Sequence, residues 1–305
     1  MDWQAEITAA RARIAGHIRQ TPAARMTLGG HDLWLKFEQM QHSGSFKARG
    51  AFNTLLSADV PAAGVVAASG GNHGAAVAYA AAQLGYPAHI FVPEVSSPSK
   101  IALIERSGAT CHVVPGLYAD AMERARAHEA ETGAMQIHAY DAVPTVAGQG
   151  TLMAEWEAQG LEADTILIAV GGGGLIAGSL ACLAGRRKVV AVEPETSCAL
   201  NAALAAGHPV DVPVSGIAAD ALGARRVGDI CFGLAQAQGI ASVTVPDAAI
   251  AEARQVLWRD LRQWVEPSGA CALAVLTSGA YVPSAGERVA VLICGANPSP
   301  DPSEP

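Results

Sequence analysis

Lys47 is one of four lysines in a chain with sixteen arginines, and its setting, QHSGSFKARGAFN at 41–53, does not resemble a solvated charged face. Ser43, Gly44, Ser45 and Phe46 lead into it. A lysine in a partly dry pocket releases its proton more readily, and the neutral amine attacks a carbonyl carbon. A second stretch, GGGGL at 171–175, follows the apolar run TILIAV. Four successive glycines cost backbone entropy that a bare turn does not need, whereas a nest of N–H groups at a helix start binds phosphate. Gly171, Gly172, Gly173, Gly174 and Leu175 are therefore candidate phosphate contacts, set against a flexible structural loop. No GK[ST] follows, and the G-x-G-x-x-G frame of dinucleotide sites is missing. An imine-forming lysine with a phosphate cradle points to pyridoxal 5′-phosphate.

Two further loops carry polar groups at strand ends. SGGNHG, 69–74, follows GVVAA and offers Ser69, Gly70, Asn72 and His73 at a helix start, where free amides favour an anion. An ordinary strand-to-helix turn with a Ser/Asn cap reads equally well. CGAN, 294–297, ends the strand RVAVLI, and by itself Cys294 reads as a plain buried thiol.

Short β-branched runs alternate with Ala-rich helical stretches along the chain. Strands are predicted at 64–69, 89–93, 111–115, 135–140, 165–170, 188–194, 241–245 and 288–294, with helices between them. The runs are almost wholly apolar, as expected for parallel strands covered on both faces. There are too many for one small sheet, so two α/β lobes are expected. Ligands in such sheets sit beyond the C-terminal ends of the strands, where these loops lie.

Half of the 305 residues are hydrophobic by type, ample for two packed lobes. The net charge of −8, with no basic run, argues against nucleic acid or an anionic membrane as partner. The N-terminal MDWQAEITAARARIAGHIRQ reads as a charged amphipathic helix without the apolar centre of a signal peptide. No apolar stretch is long enough to span a bilayer. Six cysteines without CxxC spacing argue against zinc or a disulfide framework and for a reducing cytoplasm. The tail NPSPDPSEP reads as disordered.

GSFKARGAFN, SGGNHG, AGQGT (147–151), GGGGLIAG, VEPSGA (265–270) and CGAN stand in the order and spacing of the serine/threonine dehydratase family. From about Thr21 to Asn297 the chain resembles that branch of the tryptophan-synthase-β-like, fold-type II pyridoxal-phosphate enzymes. The resemblance implies two open, twisted, mainly parallel sheets with the cofactor in the cleft between lobes. It implies a large domain of 1–50 and 141–305 and a small domain of 51–140. Lys47 then corresponds to the Schiff-base lysine, Phe46 to the residue packed beside the cofactor and Asn72 to the partner of the 3-hydroxyl. Gly171 to Gly174 and the Leu175 amide correspond to the phosphate cradle. Cys294 corresponds to the group facing the pyridine nitrogen, which displaces the core reading, and Ser69, Gly70 and His73 to the surroundings of the substrate carboxylate. Glu266 lies near the cofactor in relatives, without an assigned proton-transfer role.

The implied activity is β-elimination and deamination of an L-β-hydroxy amino acid to a 2-keto acid and ammonia, by a cytoplasmic homodimer, with Lys47 as base. Threonine and serine lead; a 3-hydroxyaspartate is an alternative. Serine racemase shares the framework but carries a serine acid/base where Gly70 stands here. β-Replacement synthases usually follow the lysine with Asp, where this chain has Ala48. Some relatives bind a divalent cation through a Glu and an Asp; Glu193 matches the first, but Ala199 stands near the second, so no metal is expected. A regulatory domain after CGAN is not expected either. A different class, a non-catalytic cofactor-binding metabolite sensor, would load cofactor without turnover.

Overall fold

The computed structural model describes residues 1–297; the rest of the tail, read above as disordered, lies outside the described residues. Helix α1 (Trp3–Ile14) is capped by the Asp2 carboxylate, which accepts from Ala5 N at 3.1 Å. A hairpin of β1 (Ala23–Leu28) and β2 (His31–Phe37) follows, absent from the strands predicted above. Gly29 and Gly30 join it with φ of 57° and 83°, the left-handed backbone that a two-residue hairpin turn demands.

The chain continues through α2 (Lys47–Leu56), β3 (Val65–Ala68), α3 (Asn72–Leu84), β4 (Ala88–Pro93), α4 (Pro98–Arg106), β5 (Thr110–Val114), α5 (Tyr118–Thr132) and β6 (Met135–Gln136). It returns through α6 (Val143–Ala158), β7 (Thr165–Ala169), α7 (Gly174–Leu183), β8 (Lys188–Pro194), α8 (Ala199–Ala206) and α9 (Ala219–Leu222). It closes with α10 (Asp229–Gln238), β9 (Ala241–Val245), α11 (Asp247–Leu261), α12 (Pro267–Thr277) and β10 (Val289–Ile293). One sheet has the order β1-β2-β10-β7-β8-β9 and the other β5-β4-β3-β6. Apart from the hairpin all pairings are parallel, as the uninterrupted apolar runs require. β7 and β10 are buried at every position.

The strand predicted at 135–140 ends after Gln136. Beyond it Ile137 N still donates to Val66 O of β3, but the carbonyls serve other partners. Ile137 O accepts from His73 Nε2 at 2.9 Å, and Ala139 O accepts from Lys47 Nζ at 2.9 Å.

Glycines set the spacing of the helices that begin at the predicted site. α6 lies between α2 and α7. A Cβ on Gly148 would come within 2.7 Å of Gly50 Cα, and one on Gly150 within 2.9 Å of Gly178 O. The AGQGT motif therefore works as a helix-crossing surface. Through it the starts of α2, at Lys47, and α7, at Gly174, are fixed relative to each other.

Candidate functional site

The lysine loop and the CGAN loop are laced together. Phe46 N donates to Cys294 O at 3.2 Å, Ala296 N donates to Gly44 O at 2.9 Å, and Ser45 bridges Gly295. Asn297 Nδ2 donates to Ser43 O and to Asn72 Oδ1, each at 2.7 Å, which brings in the start of α3. Asn72 Nδ2 donates in turn to Glu266 Oε1 at 2.5 Å. Four distant segments thus converge on the cleft edge of the large sheet.

Lys47 opens α2, beside the cleft, with its amine 5.3 Å from the Phe46 ring centroid. Burial drives its pKa down to about 8; Cys294 and Glu266 oppose the shift. The Cys294 thiol, which donates to Ser268 O at 3.3 Å, is pushed up to about 12 by burial and so stays neutral. Burial likewise raises Glu266 above the usual carboxylate range, against the pull of Lys100. A hydrogen-bonded network below the site fixes α2. The Arg49 guanidinium donates to Glu38 at 2.7 and 2.9 Å and to Glu155 at 2.9 Å, and Lys36 Nζ donates to Glu155 at 2.6 Å.

At the opposite wall, none of the amides from Gly171 to Leu175 donates to a backbone carbonyl. Protein neighbours press on each glycine. A Cβ on Gly171 would come within 2.9 Å of Leu222 Cα, and one on Gly172 would run into the Tyr140 ring. Gly173 has φ 96°, and a side chain there would also strike Cys231. The glycines therefore answer to the wall behind the loop as well as to a ligand in front. Gly172→Ala is expected to displace Tyr140 and weaken binding of pyridoxal phosphate by about tenfold, because overpacking costs about 1–3 kcal/mol; titration of the apoprotein by absorbance measures it.

A cleft joins these walls, lined by Phe46, Lys47, Asn72, Ala169, Gly171–Leu175, Ala221, Leu222, Ser268 and Cys294. All nine residues expected from sequence to touch the cofactor are among them. Ser69, Gly70 and His73 are set back at the start of α3. Gly71 N donates to Ser69 Oγ at 3.2 Å. The His73 ring, bound to Ile137 O, is held neutral, its pKa lowered to about 3 by burial and then by Lys47. What this loop leaves free is backbone: the amides of Gly70, Asn72 and His73 donate to no backbone carbonyl.

Sequence reasoning missed Tyr140 and Ser268. Tyr140 ends the segment misread as a strand, and Ser268 lies inside VEPSGA. Position beyond a parallel strand's C-terminal end was the available signal for Tyr140. Glu193 is engaged elsewhere, its carboxylate accepting from Leu200 N at 2.8 Å, Asn201 N at 2.7 Å and Ser242 Oγ at 2.9 Å. That arrangement caps α8.

The chemistry of the cleft can be tested against the expected cofactor. It offers a desolvated amine, a row of unengaged amides at a helix start, an amide side chain, a neutral thiol and the buried, unpartnered Ser268 Oγ. A carbonyl, a phosphate and a polar ring are the groups that such donors fit. The family model described as pyridoxal-phosphate dependent enzyme matches residues 14–295.

The chain belongs to this family. Its members depend on pyridoxal phosphate, and the dehydratases and racemases among them are similar to this chain. Phenylserine dehydratase of Ralstonia pickettii is 36% identical over 300 residues, covering 95% of this chain and 92% of that protein. The solved structure of maize serine racemase has a TM-score of 0.91 at 33% identity, covering 96% of this chain and 93% of its own. The solved structure of threonine deaminase from T.th. has a TM-score of 0.89 at 35% identity, covering 98% of this chain and 99% of its own. Among the described residues no helix is long and apolar enough to cross a membrane.

Proposed function

We propose that this family member is an ammonia-lyase that dehydrates and deaminates an L-β-hydroxy amino acid, with threonine and serine as leading substrates. The observation that carries the reading is one cleft holding a desolvated lysine amine between two loops of free amides. Gly171 to Leu175 would hold the phosphate, Asn72 the ring hydroxyl, Cys294 the ring nitrogen, and Phe46 would pack beside the ring. Bound there, pyridoxal phosphate supplies an electron sink that acidifies the α-C–H of an attached amino acid. The Lys47 amine, once free, takes the α-proton. The loop at Ser69 and Gly70, with the His73 amide, orients the carboxylate, while the His73 side chain steadies the loop through Ile137 O. A side chain at position 70 would run into Ser96 Oγ, so no acid or base arises there, which favours elimination over racemisation.

The reading includes residues 51–140 as a small domain that closes over substrate, and the separate sheet of strands from 65 to 136 supports it. It also includes a homodimer in a reducing cytoplasm; the six free cysteines support the compartment. Visible absorbance of the purified holoenzyme, before and after L-threonine, tests the activity. A shifted band with 2-oxobutyrate accumulating is expected. A band that no member of a panel of threonine, serine, phenylserine and hydroxyaspartate shifts, with no keto acid formed, overturns dehydration and leaves the sensor reading.

A further inference from the structure

Lys100, on α4, has no part in the chemistry above, yet it is a buried ammonium, 4% exposed. Its ion-pair partner is Asp220, on α9, whose side chain is half exposed, and the charge of Glu266 also attracts it. It joins α4, which packs on β5 of the four-stranded sheet, to α9, which packs against α12, a helix lying on the six-stranded sheet. Its position relates it to the cleft. Asp220 O lies 3.3 Å from a Cβ built on Gly71, so α9 presses on the loop that begins at Ser69. The next two residues, Ala221 and Leu222, line the cleft, and Leu222 Cα backs Gly171. Leu222 O accepts from Ser197 Oγ at 3.0 Å, which ties this short helix to the segment after β8.

We propose that Lys100 and Asp220 form a clasp that holds the two sheets together over the cleft, with both acting as positioning residues for the loop at Ser69–Gly71. The proposal rests on the cofactor-site reading above. A partly exposed pair is a suitable clasp. Separating it leaves a desolvated ammonium with only the more distant pull of Glu266, which favours reclosure, while access of water and salt to Asp220 keeps the pair breakable.

The test uses the holoenzyme and the variants Asp220→Asn and Asp220→Glu. Hydroxylamine, a small nucleophile, reports access to the bound cofactor through its absorbance and requires no turnover. The expected result is attack about tenfold faster in Asp220→Asn than in the parent, the factor corresponding to about 1.4 kcal/mol of clasp, with Asp220→Glu close to the parent. High salt is expected to speed attack on the parent and leave Asp220→Asn unchanged. Where an amino acid is turned over, KM rises in Asp220→Asn by a similar factor and kcat falls less. Equal hydroxylamine rates in parent and Asp220→Asn overturn the clasp, as does acceleration accompanied by a lower thermal midpoint and not restored by Asp220→Glu. Failure of the dehydratase reading looks different: no keto acid forms from any amino acid, while the difference in hydroxylamine rates persists.

Discussion

Lys47→Ala is expected to lower turnover by at least about a thousandfold, because it removes both the covalent anchor of the cofactor and the base for the α-proton, and a positioned base alone contributes about 10²–10⁴-fold. The visible band of covalently bound cofactor is expected to vanish, while the circular dichroism of the fold stays. Lys47→Arg is expected not to rescue, since a guanidinium remains protonated and cannot attack the aldehyde. A Lys47→Ala protein that keeps the band and a tenth of the activity would overturn the assignment. The parent apoprotein adds a pH signature. Only the neutral amine attaches to the cofactor, and burial lowers the Lys47 pKa from 10.5 to about 8. The attachment rate is therefore expected to rise as pH approaches about 8 from below and to level off above it. An unperturbed lysine would keep accelerating toward 10.5.

The second large effect is on stability. Arg49→Met is expected to cost about 3–5 kcal/mol, because it leaves the buried Glu38 and Glu155 carboxylates facing each other without their shared cation. Chemical denaturation of parent and variant, read at equal m-values, measures it. A loss under about 1 kcal/mol would show that the network relaxes through Lys36 and water. Acid acts on the same network. Burial by itself would raise Glu155, but Arg49 and then Lys36 hold its pKa below 4.5. Its contribution is therefore complete above the unfolded value of 4.5 and is lost as pH falls through the lower folded value. Because Arg49 sits two residues after Lys47 on α2, partial loss of this network is also expected to loosen the amine before the fold gives way.

The local elements and the composition of the site were legible in the sequence. Parallel strands buried on both faces leave long apolar runs, so the runs beginning at 64, 89, 165, 188 and 288 announce themselves. The lysine loop and GGGGL stand out because their residue types are costly without a ligand. The β1–β2 hairpin did not stand out, because a mixed-polarity edge pair carries no such run and its signal reduces to Gly29–Gly30. The end of β6 was equally invisible. Nothing in MQIHAY shows that His73 and Lys47 claim the carbonyls of Ile137 and Ala139.

What the sequence by itself determined is the inventory: an alternating α/β chain, a lysine in an unusual setting, a glycine cradle and the loops at strand ends. Only the tertiary structure decided how they act together. The Lys47 pKa is lowered by burial and is opposed by Cys294 and Glu266, groups more than two hundred residues away in the chain. The turning of the His73 ring away from the cleft depends on where β6 stops, and the Lys100–Asp220 pair depends on how two sheets meet. Electrostatic environment and close packing are properties of three-dimensional distance, and local residue pattern does not encode that distance.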